Sequence, residues 1–478
     1  MNDNYHSYFE LLNIPDDGSI DIEKIEVSDN VKHVYLHRSP TPAYCDICGS
    51  RMHSKGLYER TVNHPVFQDR TRLLLHIDQR RWKCTVCGHT VNESFPFLEK
   101  YKHSSTITPL LVLQTMKDLN RTTASVARQF NLSDSTVHDI FSQYVDLLRL
   151  PFPQYISIDE VYLNISDDSK YAFVIMDFVT GQIVDIVHNR WTSTLEDYFY
   201  HIPLEERMNV KAVISDAYGP YKNLCDRFFP SAVPILDSFH VIKYITSKLN
   251  SYVNEVLRRY RNKQKKELEK NNLLNNRDYQ SIKDSNEIIL LRDYRWVLLK
   301  NNDDIDYSLY KYYHRKLGMY LDTYQIEKMF LELDPNFTEL RRLKELYISF
   351  NSTNFSSEND IRKRFDDLIL LYSYSDFDIF KQFAVFLNDF YEPVIRSFTT
   401  LAVHRKSKKD QSDYYARLSN GPMESFNRKP KDFKRNSRGF SNFDYTRNRI
   451  LWSTRIDPPI LAIPKPLSLV HSYHRKNH

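Results

Sequence analysis

Three carboxylates, far apart in the chain, stand in settings that suit metal-assisted chemistry. Tyr155-Ile-Ser-Ile-Asp159-Glu and Val213-Ile-Ser-Asp216-Ala-Tyr-Gly each run an apolar, β-type stretch into an aspartate, which places Asp159 and Asp216 at or near the polar ends of buried strands. Ser419-Asn-Gly-Pro-Met-Glu424-Ser-Phe-Asn427 puts a glutamate just after an Asn-Gly-Pro breaker, at the start of a basic, helix-like run. Two strand-end aspartates and one helical glutamate make a hard-oxygen site suited to a pair of Mg²⁺ ions. The basic flank suits a phosphate backbone, so the combination points to chemistry on DNA. Arg428, Lys429, Lys431, Lys434, Arg435 and Arg438 lie within fifteen residues of Glu424 and are the expected backbone contacts.

A second group is spaced for a different metal. Cys45-Asp-Ile-Cys48-Gly and Cys84-Thr-Val-Cys87-Gly are two knuckles with 35 residues between them. Each lets two thiolates reach one tetrahedral Zn²⁺, and the following glycine permits the tight turn. One structural zinc is therefore expected on Cys45, Cys48, Cys84 and Cys87, with a strand-like stretch at 72–83 returning the chain to the second knuckle. Cys225 stands alone in an apolar, helix-like segment and reads as core. Further on, 123–130, Asn131-Leu132 and 133–144 read as helix, tight turn, helix, with Ser133 as the N-cap of the second. The pair is either a helix-turn-helix whose exposed Ser135, Thr136 and His138 face a major groove, or a plain hairpin between domains. The zinc ribbon before it favours DNA binding.

The elements that must hold the carboxylates follow from the change of period at 155. Strands are expected at 155–164, 170–179 and 182–189, with Thr180-Gly181 as a turn, then a helix at 193–201. A strand at 210–215, a short helix after Pro220 and a strand at 232–236 complete an order matching the ribonuclease-H-like fold. In that order Asp159 and Asp216 become neighbours at one edge of an α/β sheet, while strand alternation should point Glu160 to the other face. Beyond His240 the chain reads as helical, with Gly318 the one glycine between 220 and 420. Composition alone leaves open whether that block is an independent domain unconnected to the site.

Charge is distributed unevenly behind a net +5: residues 1–30 carry eight acids and one base, and residues 401–478 carry 17 bases and six acids. A basic block beside a candidate site suggests a polyanionic partner. No apolar run approaches the ~18–20 residues that span a bilayer, and the start, Met1-Asn-Asp-Asn-Tyr, lacks signal-peptide features. A soluble, cytoplasmic protein without membrane partners is expected, and five cysteines are too few for a disulfide scaffold.

Taken together, the knuckles, Arg80-Arg-Trp-Lys-Cys84, Ile158-Asp-Glu160, Ser215-Asp-Ala-Tyr-Gly219, Asp237-Ser-Phe-His-Val-Ile-Lys243, the segment around Glu424, Phe433-Lys-Arg-Asn-Ser-Arg-Gly-Phe440 and Arg447-Asn-Arg-Ile-Leu451 resemble the ISL-three (ISL3) family of bacterial insertion-sequence transposases. The resemblance runs in order over nearly the whole chain. It implies a DDE transposase whose ribonuclease-H-like core is interrupted by a helical insertion, with Asp159, Asp216 and Glu424 as catalytic triad and Mg²⁺ ligands. Asp237 and His240 take supporting roles near the fifth strand. Met423 and Ser425-Phe426 depart from the Ile and Glu-Gly of many relatives. The implied organisation is an acidic segment 1–40, a zinc ribbon 41–100, a helix-turn-helix 101–150, a core in two parts at 151–245 and 401–455, a helical insertion 246–400 and a basic tail 456–478. The implied activity is Mg-dependent cleavage at terminal inverted repeats and strand transfer into target DNA, by a homodimer or larger assembly. An inactive DNA-binding regulator, or a nuclease that cuts without joining, are the alternatives. The intact carboxylates argue against the first and the N-terminal modules against the second.

Overall fold

The computed structural model describes residues 6–15, 18–65, 72–100, 102–165, 169–270, 284–404, 414–437 and 442–472. The chain divides into two compact units, one of Met1–Arg149, Tyr162–Lys170 and Arg428–His478, the other of Leu150–Val161 and Tyr171–Asn427.

The first unit opens with helix α1 (His6–Leu11) and strands β1 (Ile20–Ser28), β2 (Val31–Arg38), β3 (Met52–His64), β4 (Arg72–Cys84) and β5 (Thr90–Asn92). They form one sheet in the order β1-β2-β4-β3, with β5 on β4. Residues 20–38, expected as part of a separate acidic segment, therefore share a sheet with the ribbon, since β2 runs parallel to β4 from Val31↔Arg72 to Leu36↔Ile77. The reason is local. Apolar residues alternate with acids through 20–27, and Asp29 and Asn30 at positive φ turn the chain into β2. Ile20, Ile22, Val34, Leu36, Leu73, Leu75 and Ile77 bury their side chains in its core.

Three helices follow: α2 (Thr108–Thr115), α3 (Thr123–Phe130) and α4 (Asp134–Tyr144). Thr122 caps α3 through Ser125 N–H, and Ser133 caps α4 through Thr136 N–H. Asn131 at φ 53° supplies the left-handed turn between them. Val126, Ala127, Phe130, Val137, Ile140 and Phe141 are buried.

The second unit is built on strands β6 (Tyr155–Tyr162), β7 (Tyr171–Asp177), β8 (Ile183–Val187), β9 (Ala212–Ser215) and β10 (Val233–Leu236), with helices α5 (Thr192–Tyr200), α6 (Leu204–Met208) and α7 (Gly219–Phe228) between them. The sheet order is β10-β9-β6-β7-β8, with β6, β9 and β10 mutually parallel. One face packs on α5 and α7 through Phe173, Leu195, Phe199, Leu224 and Phe228. From α8 (Ser238–Lys270) through α9 (Asn286–Asp293), α10 (Trp296–Leu299), α11 (Thr323–Leu331), α12 (Phe337–Ser352), α13 (Glu358–Ser373), α14 (Asp378–Asp389) and α15 (Tyr391–Arg396) the described chain is helical apart from a 3₁₀ turn and a hairpin. That hairpin, β11 (Tyr312–His314) with β12 (Met319–Leu321), turns at Gly318, φ +72°. These helices bury their own cluster, including Val241, Leu249, Phe337, Phe365, Phe383 and Ile395. The antiparallel pair β13 (Thr400–Val403) and β14 (Tyr414–Arg417) returns to the sheet, where Val403 and Leu418 pack on Phe178, Ile214 and Ile235.

Helix α16 (Gly421–Ser437) carries Glu424 in its first turn, and α17 (Phe443–Thr454) and α18 (Leu467–Ser472) end the described chain. Residues 443–455 pack within the first unit. The fully buried Arg449 donates to the carbonyls of Met116, Asp118 and Arg121, and Trp452 Nε1 donates to Leu113 O at 3.0 Å. They satisfy carbonyls at the end of α2 and in the turn that follows it. Among the described residues no helix is long and apolar enough to cross a membrane.

Candidate active site

Register brings the acidic residues together. Ser157 of β6 pairs with Ile214 of β9, and Leu236 of β10 pairs with Ser215 of β9. Continued past the strand ends, the same offsets align Asp159, Asp216 and Asp237 in one row across three parallel strands. Asp237 N–H donates to Ser215 O at 3.1 Å, which holds the third strand in that row. The carboxyl ends of parallel strands are where such sheets bind ligands.

Helix α16 delivers Glu424 to the row by two asparagines at helical spacing. Asn420, fully buried, donates from Nδ2 to Ile158 O at 3.1 Å, pinning the start of the helix to β6. Asn427, one turn after Glu424, donates from Nδ2 to Asp159 Oδ2 at 2.8 Å. The ligand atoms of Asp237, His240 and Glu424 all lie within 4.8 Å of one another. The tight three-ligand cluster thus differs from the expected triad: Glu424 meets Asp237 and His240, with Asp159 and Asp216 beside them in the row.

Like charges out of water define the electrostatics. Burial first, then the charges of Asp216, Glu160 and Glu424, push the Asp159 carboxyl up to about 7, against a pull downward from Glu160 N–H. Burial also raises Asp216 and Asp237 and lowers His240.

Glu160 is engaged by its neighbours. It belongs to the same electrostatic neighbourhood, as the leading charge acting on Asp216. Its carboxylate accepts from Tyr221 Oη at 2.5 Å and from Arg190, whose guanidinium lies over the Tyr171 ring. This lock leaves Glu160 engaged within the protein. Asn420, Asn427, Arg190 and Tyr221 were not singled out from sequence. Their one signal was the spacing of Asn420 and Asn427 about Glu424, four before and three after.

Along α16, Arg428, Lys431 and Arg435 follow Glu424 at i+4, i+7 and i+11, one helical stripe, and all three are exposed. Arg435 lies 3.4 Å from Asp432. Lys429 is exposed away from that stripe. Lys434 is turned inward, its Nζ 3.4 Å from Asn164 O and over the Tyr162 ring. Arg438 lies outside the described residues.

The two knuckles are copies of one turn. Cys45 N–H donates to Ser50 O and Gly49 N–H to Cys45 O; Cys84 N–H donates to His89 O and Gly88 N–H to Cys84 O. Gly49 and Gly88 sit at φ +71° and +76°. Sγ separations of 3.5 Å (Cys45–Cys87 and Cys48–Cys84) and 3.6 Å (Cys48–Cys87) are close to the roughly 3.8 Å edge of a tetrahedron with Zn–S bonds of about 2.3 Å. Hydrogen bonds from Ser50 hold the Cys48 thiol down at about 6, while the neighbouring thiols push Cys87 up to about 12. The cluster could hold zinc.

Of the α4 residues expected to face a groove, Ser135 is exposed, while Thr136 and His138 are half-buried. The Thr136 hydroxyl lies 2.8 Å from Ser133 Oγ. The His138 ring stacks on Tyr445 with centroids 4.4 Å apart. The C-terminal segment covers that side of the helix: Lys465 N–H donates to Gln143 O, Lys465 Nζ pairs with Asp146 at 2.5 Å, and His471 lies 3.0 Å from Asp139.

Two family models and a curated relative match the chain. A DDE-type transposase family model, described as transposase, matches residues 156–450, more than half of the chain. A model of the helix-turn-helix domain of transposase family ISL3 matches residues 93–145. The chain is 26% identical over 286 residues to the transposase for insertion sequence element IS1001 of Bordetella parapertussis. That match covers 57% of this chain and 62% of the relative, so the chain spans less than two thirds of the relative's length.

Proposed function

Because the chain belongs to the ISL3 family of transposases, we propose that it is a DDE transposase of an insertion sequence, cutting DNA at terminal inverted repeats and joining the freed ends to target DNA. The observation that carries this reading is the row of Asp159 and Asp216 on adjacent parallel strands, with Glu424 brought to it by Asn420 and Asn427. The order β10-β9-β6-β7-β8 supports a ribonuclease-H-like core, and α8–α15 stand as an insertion between its fifth strand and Glu424.

Two Mg²⁺ ions, when bound, supply the Lewis acidity for in-line phosphoryl displacement, first by water and then by the freed 3′-hydroxyl. The protein's part is to present Asp159, Asp216 and Glu424 as ligands. Asn427 fixes the orientation of the Asp159 carboxylate, leaving its other oxygen toward Glu160 N–H. Burial and like charges favour the protonated form of Asp159, and a cation held by Asp159, Asp216 and Glu424 would favour the ionised form. Arg428, Lys431 and Arg435 hold the DNA backbone along α16. Zinc on Cys45, Cys48, Cys84 and Cys87 fixes the turns that close the ribbon, and Ser135 on α4 reads the terminal repeat. Pairing two ends requires at least a dimer.

Purified protein incubated with Mg²⁺, a terminal-repeat duplex and a target plasmid tests the reading. It predicts nicking at the 3′ end followed by covalent joining to the plasmid. Cutting without joining would make the chain a nuclease, and end binding without cutting a regulator.

A further inference from the structure

The family reading makes Glu424 the third member of a triad with Asp159 and Asp216. The atoms gathered tightly around Glu424 belong to two other residues. One ligand atom each from Asp237, His240 and Glu424 lies within 4.8 Å of the other two. They come from three elements: the end of β10, the first turn of α8 and the first turn of α16. A single hydrophobic stripe or a helix cap does not bring together such a set.

Asp237 supplies the second observation. Its side chain is 1% exposed, yet its Oδ2 has no hydrogen-bond partner among the described residues. A carboxylate oxygen buried without a partner costs free energy unless something absent from the protein itself satisfies it. The backbone N–H groups of Asn420 and Phe239 are directed at the same carboxylate, so its orientation is set by the main chain of two elements. The His240 backbone N–H donates to the Asp237 backbone carbonyl at 3.0 Å, so the main chain of both residues belongs to one turn.

We propose that Asp237, His240 and Glu424 form a divalent-cation site of their own, with one nitrogen and two carboxylate ligands, adjacent to the Asp159–Asp216 pair. This rests on the two-ion reading above and divides the ions between two ligand sets, one all-oxygen and one containing imidazole. An imidazole ligand shifts preference from purely hard cations toward first-row transition ions. The site should accept Mn²⁺ readily and discriminate against Ca²⁺, which the all-oxygen pair tolerates.

Zinc-loaded full-length protein titrated with Mn²⁺ tests this by electron paramagnetic resonance, with no turnover required. Continuous-wave spectra count the bound ions, and pulsed echo-modulation spectra detect nitrogen bonded to manganese. The expected result is two Mn²⁺ per chain, one showing nitrogen modulation that changes when the protein's histidines are ¹⁵N-labelled. His240→Gln should abolish that modulation and weaken one ion about tenfold or more. Asp159→Asn should weaken the other ion and leave the nitrogen signal. Because labelling leaves the wild-type sequence intact, a misfolded variant does not protect the idea. Two manganese ions without histidine nitrogen overturn the inference and leave the two-ion reading standing. One ion with histidine nitrogen that survives Asp159→Asn unweakened breaks the two-ion reading and leaves the site. No manganese binding overturns both.

Discussion

Asp159 carries the main charge conflict of the site, because burial and three neighbouring carboxylates lift its carboxyl from 3.8 to about 7. In the metal-free protein this works against folding at neutral pH. The folded state holds its proton more tightly than the unfolded chain, so the penalty is absent below about 3.8, builds as pH rises and is complete above about 7. Three units correspond to about 4 kcal/mol. Asn at this position keeps the shape and cannot ionise. In magnesium-free buffer, Asp159→Asn should therefore unfold at a higher temperature than wild type at pH 8, with the gap shrinking toward pH 5. Thermal melts across that range check it, and a gap that is missing or grows toward acid would count against the charge-conflict account.

Two elements have consequences of their own, the knuckled ribbon and the basic stripe of α16. Four cysteines bring the ends of β3, β4 and β5 together where few apolar side chains do, only Cys45, Met52 and Cys84 being buried in that cluster. Metal binding then supplies folding energy. Elemental analysis should find one zinc per chain, and Cys84→Ser should lose it and unfold the ribbon while the sheet of the second unit keeps its circular dichroism. On α16, replacing Arg428 and Lys431 by Ala should lower the salt slope of DNA binding by about two units, at roughly 0.9 per phosphate contact. Lys434→Ala should leave the slope unchanged, since that side chain is occupied with Asn164 and Tyr162. Equal slopes in all three proteins would remove the stripe from the interface. The strand and helix pattern from 155 to 236 was legible because each element announces itself within a few residues: apolar runs, Thr180-Gly181 and Pro220. The inward turn of Lys434, the engagement of Glu160 and the cover over His138 were not, because each depends on a partner distant in sequence.

On the scale of the whole molecule, the chain leaves and re-enters its units. The helices that follow Glu424 complete the unit begun by the ribbon and helix-turn-helix, through Arg449, Trp452 and the bonds from Lys117 Nζ to Trp452 O and Arg455 O. The resemblance placed 443–455 with the core, and nothing in those residues names α2 as their partner. Arg449→Met should remove the hydrogen bonds to the carbonyls of Met116, Asp118 and Arg121, of which Met116 O keeps Ser453 Oγ and Asp118 O keeps Arg121 N–H, and cost about 1–3 kcal/mol. Hydrogen exchange should rise in α2–α4 and α17 and stay unchanged in β6–β10; uniform loosening would contradict the division. The account's central claim is that Asp159, Asp216 and Glu424 act as one metal-dependent site on DNA. Its most direct measurement is 3′-end cleavage of a terminal-repeat duplex by Asp159→Asn, Asp216→Asn and Glu424→Gln, each with its affinity for the same duplex measured alongside. The account predicts cleavage lost in all three with binding nearly intact; cleavage near the wild-type rate in any one of them would contradict it.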